Sequence, residues 1–209
     1  MSISFDAKAT RTVVKLDGVD RVAFNEDGSM ELLTPPSAAP DANDVPTFGT
    51  SLVRATAQNA TGTAIDFTGI PSWAKKITVM LDQVSTSGTS VVMIRLGTSS
   101  GVDAAGYAVT VGYITGTTQC GLIAVDTTGI NTGSTLAIAQ RNGTITLHNV
   151  SGKTWVVSGL LGDYANDDIV QISGRKALAG TLDRIYLTTG NGTDTFDAGS
   201  VSILVEGYE

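Results

Sequence analysis

The 209-residue sequence contains one cysteine, Cys120, and one histidine, His148. A single thiol excludes an internal disulfide framework, and one imidazole beside it leaves no Cys/His cluster for zinc. Charge is scarce as well. Only 16% of residues are Asp, Glu, Lys or Arg, against about 25% in average soluble domains. That charge runs negative, 20 acidic against 13 basic residues for a net −7. Nucleic-acid binding, which needs clustered Lys and Arg, is therefore not expected. No apolar run approaches the ~18 residues of a membrane-crossing helix, so no membrane insertion is expected either. The opening residues, Met1 to Asp6, lack a charged segment followed by an apolar one. The expectation is synthesis in a cytoplasm without a signal peptide.

What is plentiful is glycine, 24 residues, set among many threonines and serines. β-Branched runs broken by turn residues recur about every ten positions, the pattern of an all-β sandwich or barrel. The best helical candidate, 104–112, is interrupted at Gly106 and Gly112 and reads as a strand. Strands are predicted near 50–58, 64–67, 75–84, 91–97, 107–113, 122–125, 136–140, 143–148, 154–161, 169–173, 185–189 and 201–207. This number of strands in one domain predicts a jelly-roll-like β-sandwich over 47–209.

Residues 1–33 read as a separate unit. Thr12 to Leu16 is a β-branched run ending at Asp17-Gly18, and Arg21 to Phe24 faces Ser29 to Leu33 across Asn25-Glu26-Asp27-Gly28. Alternation on both sides of a glycine-ended turn is a hairpin signal. Two or three such strands are marginal alone and must pack on something else. Between the two units, 34–46 (TPPSAAPDANDVP) holds four of the five prolines and reads as an extended, semi-stiff linker.

Two segments carry a resemblance. One is GIPSWAKKITVM at 69–80, continuing through Val84 to Ser90; the other is LDRIYLTT at 182–189, followed by Asn191 to Leu204. In this order they resemble parts of a β domain common in tailed-bacteriophage tail-fibre proteins, covering roughly residues 60–209. The resemblance implies a homotrimer on a tail or capsid surface, made in the bacterial host cytoplasm. Its N-terminal unit would dock on other virion proteins, and its distal domain would meet a host-surface glycan or protein. No cofactor is implied. The chain departs from the pattern in being short, without shaft repeats, which keeps a capsid-decorating or head-fibre protein open as an alternative.

The strand patterns fit a protein that assembles. Ile77, Val79 and Leu81 give one apolar face, while Thr78, Met80 and Asp82 give a mixed one that could pack on a neighbouring copy. Ile203 and Val205 share a face in the last strand, with Leu204 opposite.

Candidate chemistry is sparse. His148 ends an alternating strand and reads as a solvent-facing residue, with a catalytic base as the alternative. Glycoside cleavage needs two carboxylates about 5–10 Å apart. Asp163, Asp167 and Asp168 form one group and Asp194 with Asp197 another, so a small polysaccharide-cleaving enzyme is the rival from a different class. Asx turns explain both groups equally. The first lacks the ordered spacing of a calcium loop, and no metal or cofactor is predicted. Trp73 and Trp155 read as core residues, and Tyr107, Tyr113 and Tyr186 lie in or beside strands. Tyr164, in an Asp/Asn-rich loop, reads as the exposed aromatic. Cys120 reads as a small buried or half-buried residue. The binding candidates are therefore Tyr164, Asp163, Asp167, Asp168 and Asp194, and no catalytic residue is assigned.

Overall fold

The structure, a computed structural model, describes residues 3–8, 11–16, 19–25, 30–32 and 51–207, the last without 116–118 and 134. The chain divides into two units, Met1–Thr47 and Phe48–Glu209, each described by itself.

The first unit is an antiparallel meander of β1 (Ile3–Lys8), β2 (Arg11–Leu16), β3 (Val19–Asn25) and β4 (Met30–Leu32), in that order. The hairpin expected across 25–28 is present, with Phe24 opposite Met30 and Val22 opposite Leu32. One strand more than expected joins it. β1 pairs with β2 from Ile3 opposite Leu16 to Lys8 opposite Arg11, and its signal was the alternation of Ile3, Phe5 and Ala7 with polar neighbours. The expected linker, 34–46, lies outside the described residues.

The second unit contains β5 (Ser51–Arg54), β6 (Gln58–Asn59), β7 (Ala64–Thr68), β8 (Ala74–Thr86), β9 (Val92–Thr98), β10 (Gly101–Val102) and β11 (Tyr107–Thr115). It continues with β12 (Gln119–Asp126), β13 (Ile130–Asn131), β14 (Arg141–Ser151), β15 (Thr154–Asp163), β16 (Asp168–Ala177), β17 (Arg184–Thr189) and β18 (Phe196–Gly207). Nine strands form one antiparallel sheet in the order β12-β11-β16-β15-β14-β8-β18-β5, with β6 also on β18. Five form the other, β10-β9-β17-β7, with β13 also on β9. There is no helix among the described residues. The protein is all-β, and its larger unit is a two-sheet sandwich, as the patterning predicts.

The sandwich follows from the period-2 pattern, which sends alternate side chains to opposite faces. From the large sheet Ile77, Val79, Ile145, Leu147, Trp155, Val157, Ile203 and Val205 are buried; from the small sheet come Ile65, Phe67, Ile94, Leu96, Ile185 and Leu187. All belong to one cluster, with Trp73 packed against it. Each such aliphatic side chain withdrawn from water stabilises the fold by about 1.5–3 kcal/mol. Thr78, Met80 and Leu204, on the other face of their strands, are half-buried.

Two expectations need correction. The segment 136–140 is not a strand. It is a turn closed by the Ala139 amide on the Leu136 carbonyl at 3.1 Å, with Ala139 buried and Leu136 and Ile138 exposed. Its apolar run, Leu136 to Ala139, imitates a buried strand, but no neighbouring strand pairs with it. Conversely, the last strand begins at Phe196, not near Val201, despite the turn-like Asp197-Ala198-Gly199. Register shifts in β18 and β14 meet β8 around Gln83. There Gln83 has φ 51°, and its amide donates to Asn142 Oδ1 at 2.8 Å. Gly199, at φ 91°, lies so close that a Cβ would run into the carbonyls of Asp82 and Gln83. Glycine here bends the strand without ending it.

Candidate functional site

Four of the five candidate residues lie on the β15–β16 turn, where Asp163 pairs across the ladder with Asp168. Tyr164 is 81% exposed, the most open of the large hydrophobic side chains. Asp167 is exposed and adopts φ 55°, a left-handed position that Asp tolerates in tight turns. Asp168 is half-buried. Asp163 does not join Tyr164 on the surface. Only 2% exposed, its carboxylate accepts from the Gln140 amide at 3.0 Å and from Asn166 Nδ2. Register sets it opposite Arg141, which is 1% exposed. Burial pulls the Arg141 pKa down to about 10, and the negative charge of Asp163 opposes that fall. Asp163 therefore holds the base of the turn and offers nothing to solvent.

Asp194 sits elsewhere, between β17 and β18. It accepts from the Ser90 amide at 2.9 Å and from Asn191 Nδ2 at 2.8 Å. These two bonds, the Asn191 side chain first, hold its carboxyl below the usual range. Asn191 Oδ1 in turn accepts from the amides of Thr193 and Asp194, both at 3.0 Å. Ser87 Oγ accepts from the Thr195 amide at 3.0 Å, and Ser85 Oγ donates to Asp197. The network ties loop 87–91 to loop 190–195. β15 and β18 are three strands apart in the sheet, or about 14 Å at the usual spacing. The two acidic groups are therefore separate; within the first, Asp163 is buried, and within the second Asp194 is engaged by Ser90 and Asn191 and Asp197 by Ser85.

All five candidates nevertheless share one end of the sandwich. β8 ends there, β14 and β18 begin there, and the β15–β16 turn closes there. The exposed Leu136 and Ile138 precede β14 at this end, and the Tyr164 amide donates to the Gln140 carbonyl at 3.4 Å. The chain enters at the opposite end, where Ser51 pairs with Gly207.

Of the other candidates, His148 is exposed on β14, and Trp155 and Tyr107 are buried. Trp73, Tyr113 and Tyr186 are half-buried. The Cys120 side chain lies outside the described residues. Among the described residues no group of three or more His, Cys, Asp or Glu is placed to hold a metal.

A feature not foreseen lies on the outer face of the nine-stranded sheet, a groove of about 690 Å³. Along it Thr110 pairs with Ser173, Ser173 with Ser158, and Ser158 with Thr146, so four hydroxyls stand in one row across β11, β16, β15 and β14. Thr78 on β8 continues the row. The adjacent row supplies Gln171, Leu160 and Thr144. Gly112 and Gly121, which have no side chain, also line it. Among the described residues none of its lining side chains is ionisable. The sequence signal was small hydroxyl residues at the solvent-facing positions of four strands, but only the register reveals that they align.

Compared with known proteins, the chain matches no family model, no curated protein sequence and no solved structure.

Proposed function

We propose that this chain is a non-enzymatic structural protein of a tailed-phage virion, a short trimeric fibre or spike that attaches the particle to a host surface. The observation that carries the reading is the polarity of the sandwich. The chain enters at the Ser51 end, and the exposed Tyr164, Leu136 and Ile138 stand at the other. A domain tethered at one end and open at the other suits a docking unit on the particle side and a contact surface on the host side. Of the two segments that resemble tail-fibre proteins, the later part of the second pairs with the first, since β8 and β18 run together from Thr86 opposite Phe196 to Ala74 opposite Gly207, while its earlier part, 184–189, lies in the other sheet as β17. Three copies on one axis convert weak single-site binding into useful avidity.

Light scattering after size exclusion, followed by immunogold labelling of particles, tests the proposal. The expected result is a mass three times 21.5 kDa with gold at the tail. A stable monomer would overturn the free-standing trimer. Gold spread over the shell would assign the chain to capsid decoration. Loss of host polysaccharide on exposure to the chain would point to the cleaving enzyme.

A further inference from the structure

We infer that the hydroxyl-lined groove on the nine-stranded sheet is a binding site for a neutral, extended, β-linked oligosaccharide; as the identity of a host-surface ligand, this rests on the attachment reading. Thr110, Ser173, Ser158 and Thr146 occupy matched positions on four neighbouring strands. Their spacing is therefore the strand spacing, about 4.8 Å, close to the rise per sugar of an extended β-linked glycan. A chain laid across the strands meets one hydroxyl, able to donate and accept, at each sugar.

The row also has unused capacity. The side-chain polar atoms of Thr110, Thr146, Ser158, Ser173 and Gln171 have no hydrogen-bond partner among the described residues. Their polar atoms are thus available to a ligand. Charge narrows the ligand further. A charged ligand in this groove would lose hydration and meet no counter-charge from the described lining, and the chain's net −7 further disfavours an acidic polysaccharide. The next row on this face carries Arg175 beyond Ser173 and His148 beyond Thr146, with Lys76 opposite His148 and paired with Glu206 at 2.7 Å; all lie outside the lining of the groove. Finally, exposed Leu160 and the threonine methyls give the C–H faces of the sugars an apolar surface.

The test is calorimetric titration of the full chain with three β-1,4-linked neutral sugars, cellohexaose, chitohexaose and mannohexaose, and with a galacturonate hexamer as the acidic comparison. At least one neutral hexasaccharide is expected to bind, and the acidic one is not. Thr146→Val and Ser158→Ala each remove one hydroxyl from an accessible position. Each is expected to weaken binding about fivefold, with the melting temperature and native mass unchanged. Thr110→Val gives a third independent reading should either variant fold poorly. Binding of no neutral hexasaccharide, preference for galacturonate, or equal affinity in all three variants would overturn the inference. So would a change of native mass in the variants, which would make this face a contact between copies. If particles are gold-labelled at the tail and no hexasaccharide binds, the groove assignment fails alone. If hexasaccharides bind and no particle is labelled, the attachment reading fails and the site stands.

Discussion

Replacing Tyr107 by Phe tests how the sandwich satisfies a gap in its smaller sheet. Leu96 lies in β9 between the stretch paired with β13 and the stretch paired with β10, so no strand takes its outward amide. The Tyr107 hydroxyl reaches across from β11 and accepts that amide at 2.7 Å, while donating to the Asp103 carbonyl at 3.0 Å. The ring is 3% exposed, and the Lys176 ammonium stands 5.0 Å from its centre, fixed by Asp103 at 2.9 Å. Phenylalanine keeps the ring and its packing but leaves a buried N–H without an acceptor, which costs about 2 kcal/mol. For a unit of this size the melting temperature should fall by about 6 °C at pH 8.

The same residue gives an alkaline signature. Burial pushes the phenol well above its ordinary value of 10.0, with the Asp103 charge adding to the rise and the Leu96 amide bond opposing it. Above pH 10 the unfolded chain releases this proton and the folded chain keeps it. The folded state then binds more protons, so stability falls with rising pH by up to about 1.4 kcal/mol per unit. The Phe variant lacks that loss. The gap between the two proteins should therefore narrow by about two-thirds from pH 9 to pH 11. Equal melting at pH 8, or a gap unchanged at pH 11, would refute the reasoning.

Two further outcomes follow from the acidic groups. Asp163→Asn should destabilise the sandwich by about 3 kcal/mol in urea titrations, because it leaves the buried Arg141 without the neighbouring negative charge. A change under ~0.5 kcal/mol, the usual size for a surface substitution, would return Asp163 to the list of surface residues. Asp194 has its carboxyl lowered in the folded state by Asn191 and Ser90. The loop ties it makes are therefore present above the ordinary carboxylate range and lost as pH falls through the folded value. Protection of the Ser90 amide from hydrogen exchange, measured against the rate of an unstructured amide at the same pH, should fall in acid, and in Asp194→Ala it should be low throughout. Protection that persists in that variant would show that Asp194 does not tie the loops.

The acidic turn illustrates how far the letters could be read. The Asp/Asn-rich stretch at 163–168 signals a turn with an exposed aromatic, and Tyr164 is exposed. The letters do not separate Asp163 from Asp167, because a carboxylate becomes structural only when a distant strand brings Arg141 and Gln140 beside it. The turn at 136–140 departs from the expected strand for a related reason. An apolar run reports hydrophobic side chains, and strand formation also needs a partner for the backbone.

The sequence by itself determined the all-β class, the alternation that fills the core, the small N-terminal sheet unit, and the scarcity of ligating side chains. These are local properties, set by side-chain branching, polarity and the backbone freedom of glycine. Only the tertiary structure decided the strand order, the bend at Gln83 and Gly199, the burial of Asp163 and the hydroxyl row from Thr110 to Thr146. Each of these depends on register between strands far apart in the chain. A shift of one residue would turn every one of those hydroxyls to the opposite face, and nothing within a single strand records its neighbour's register.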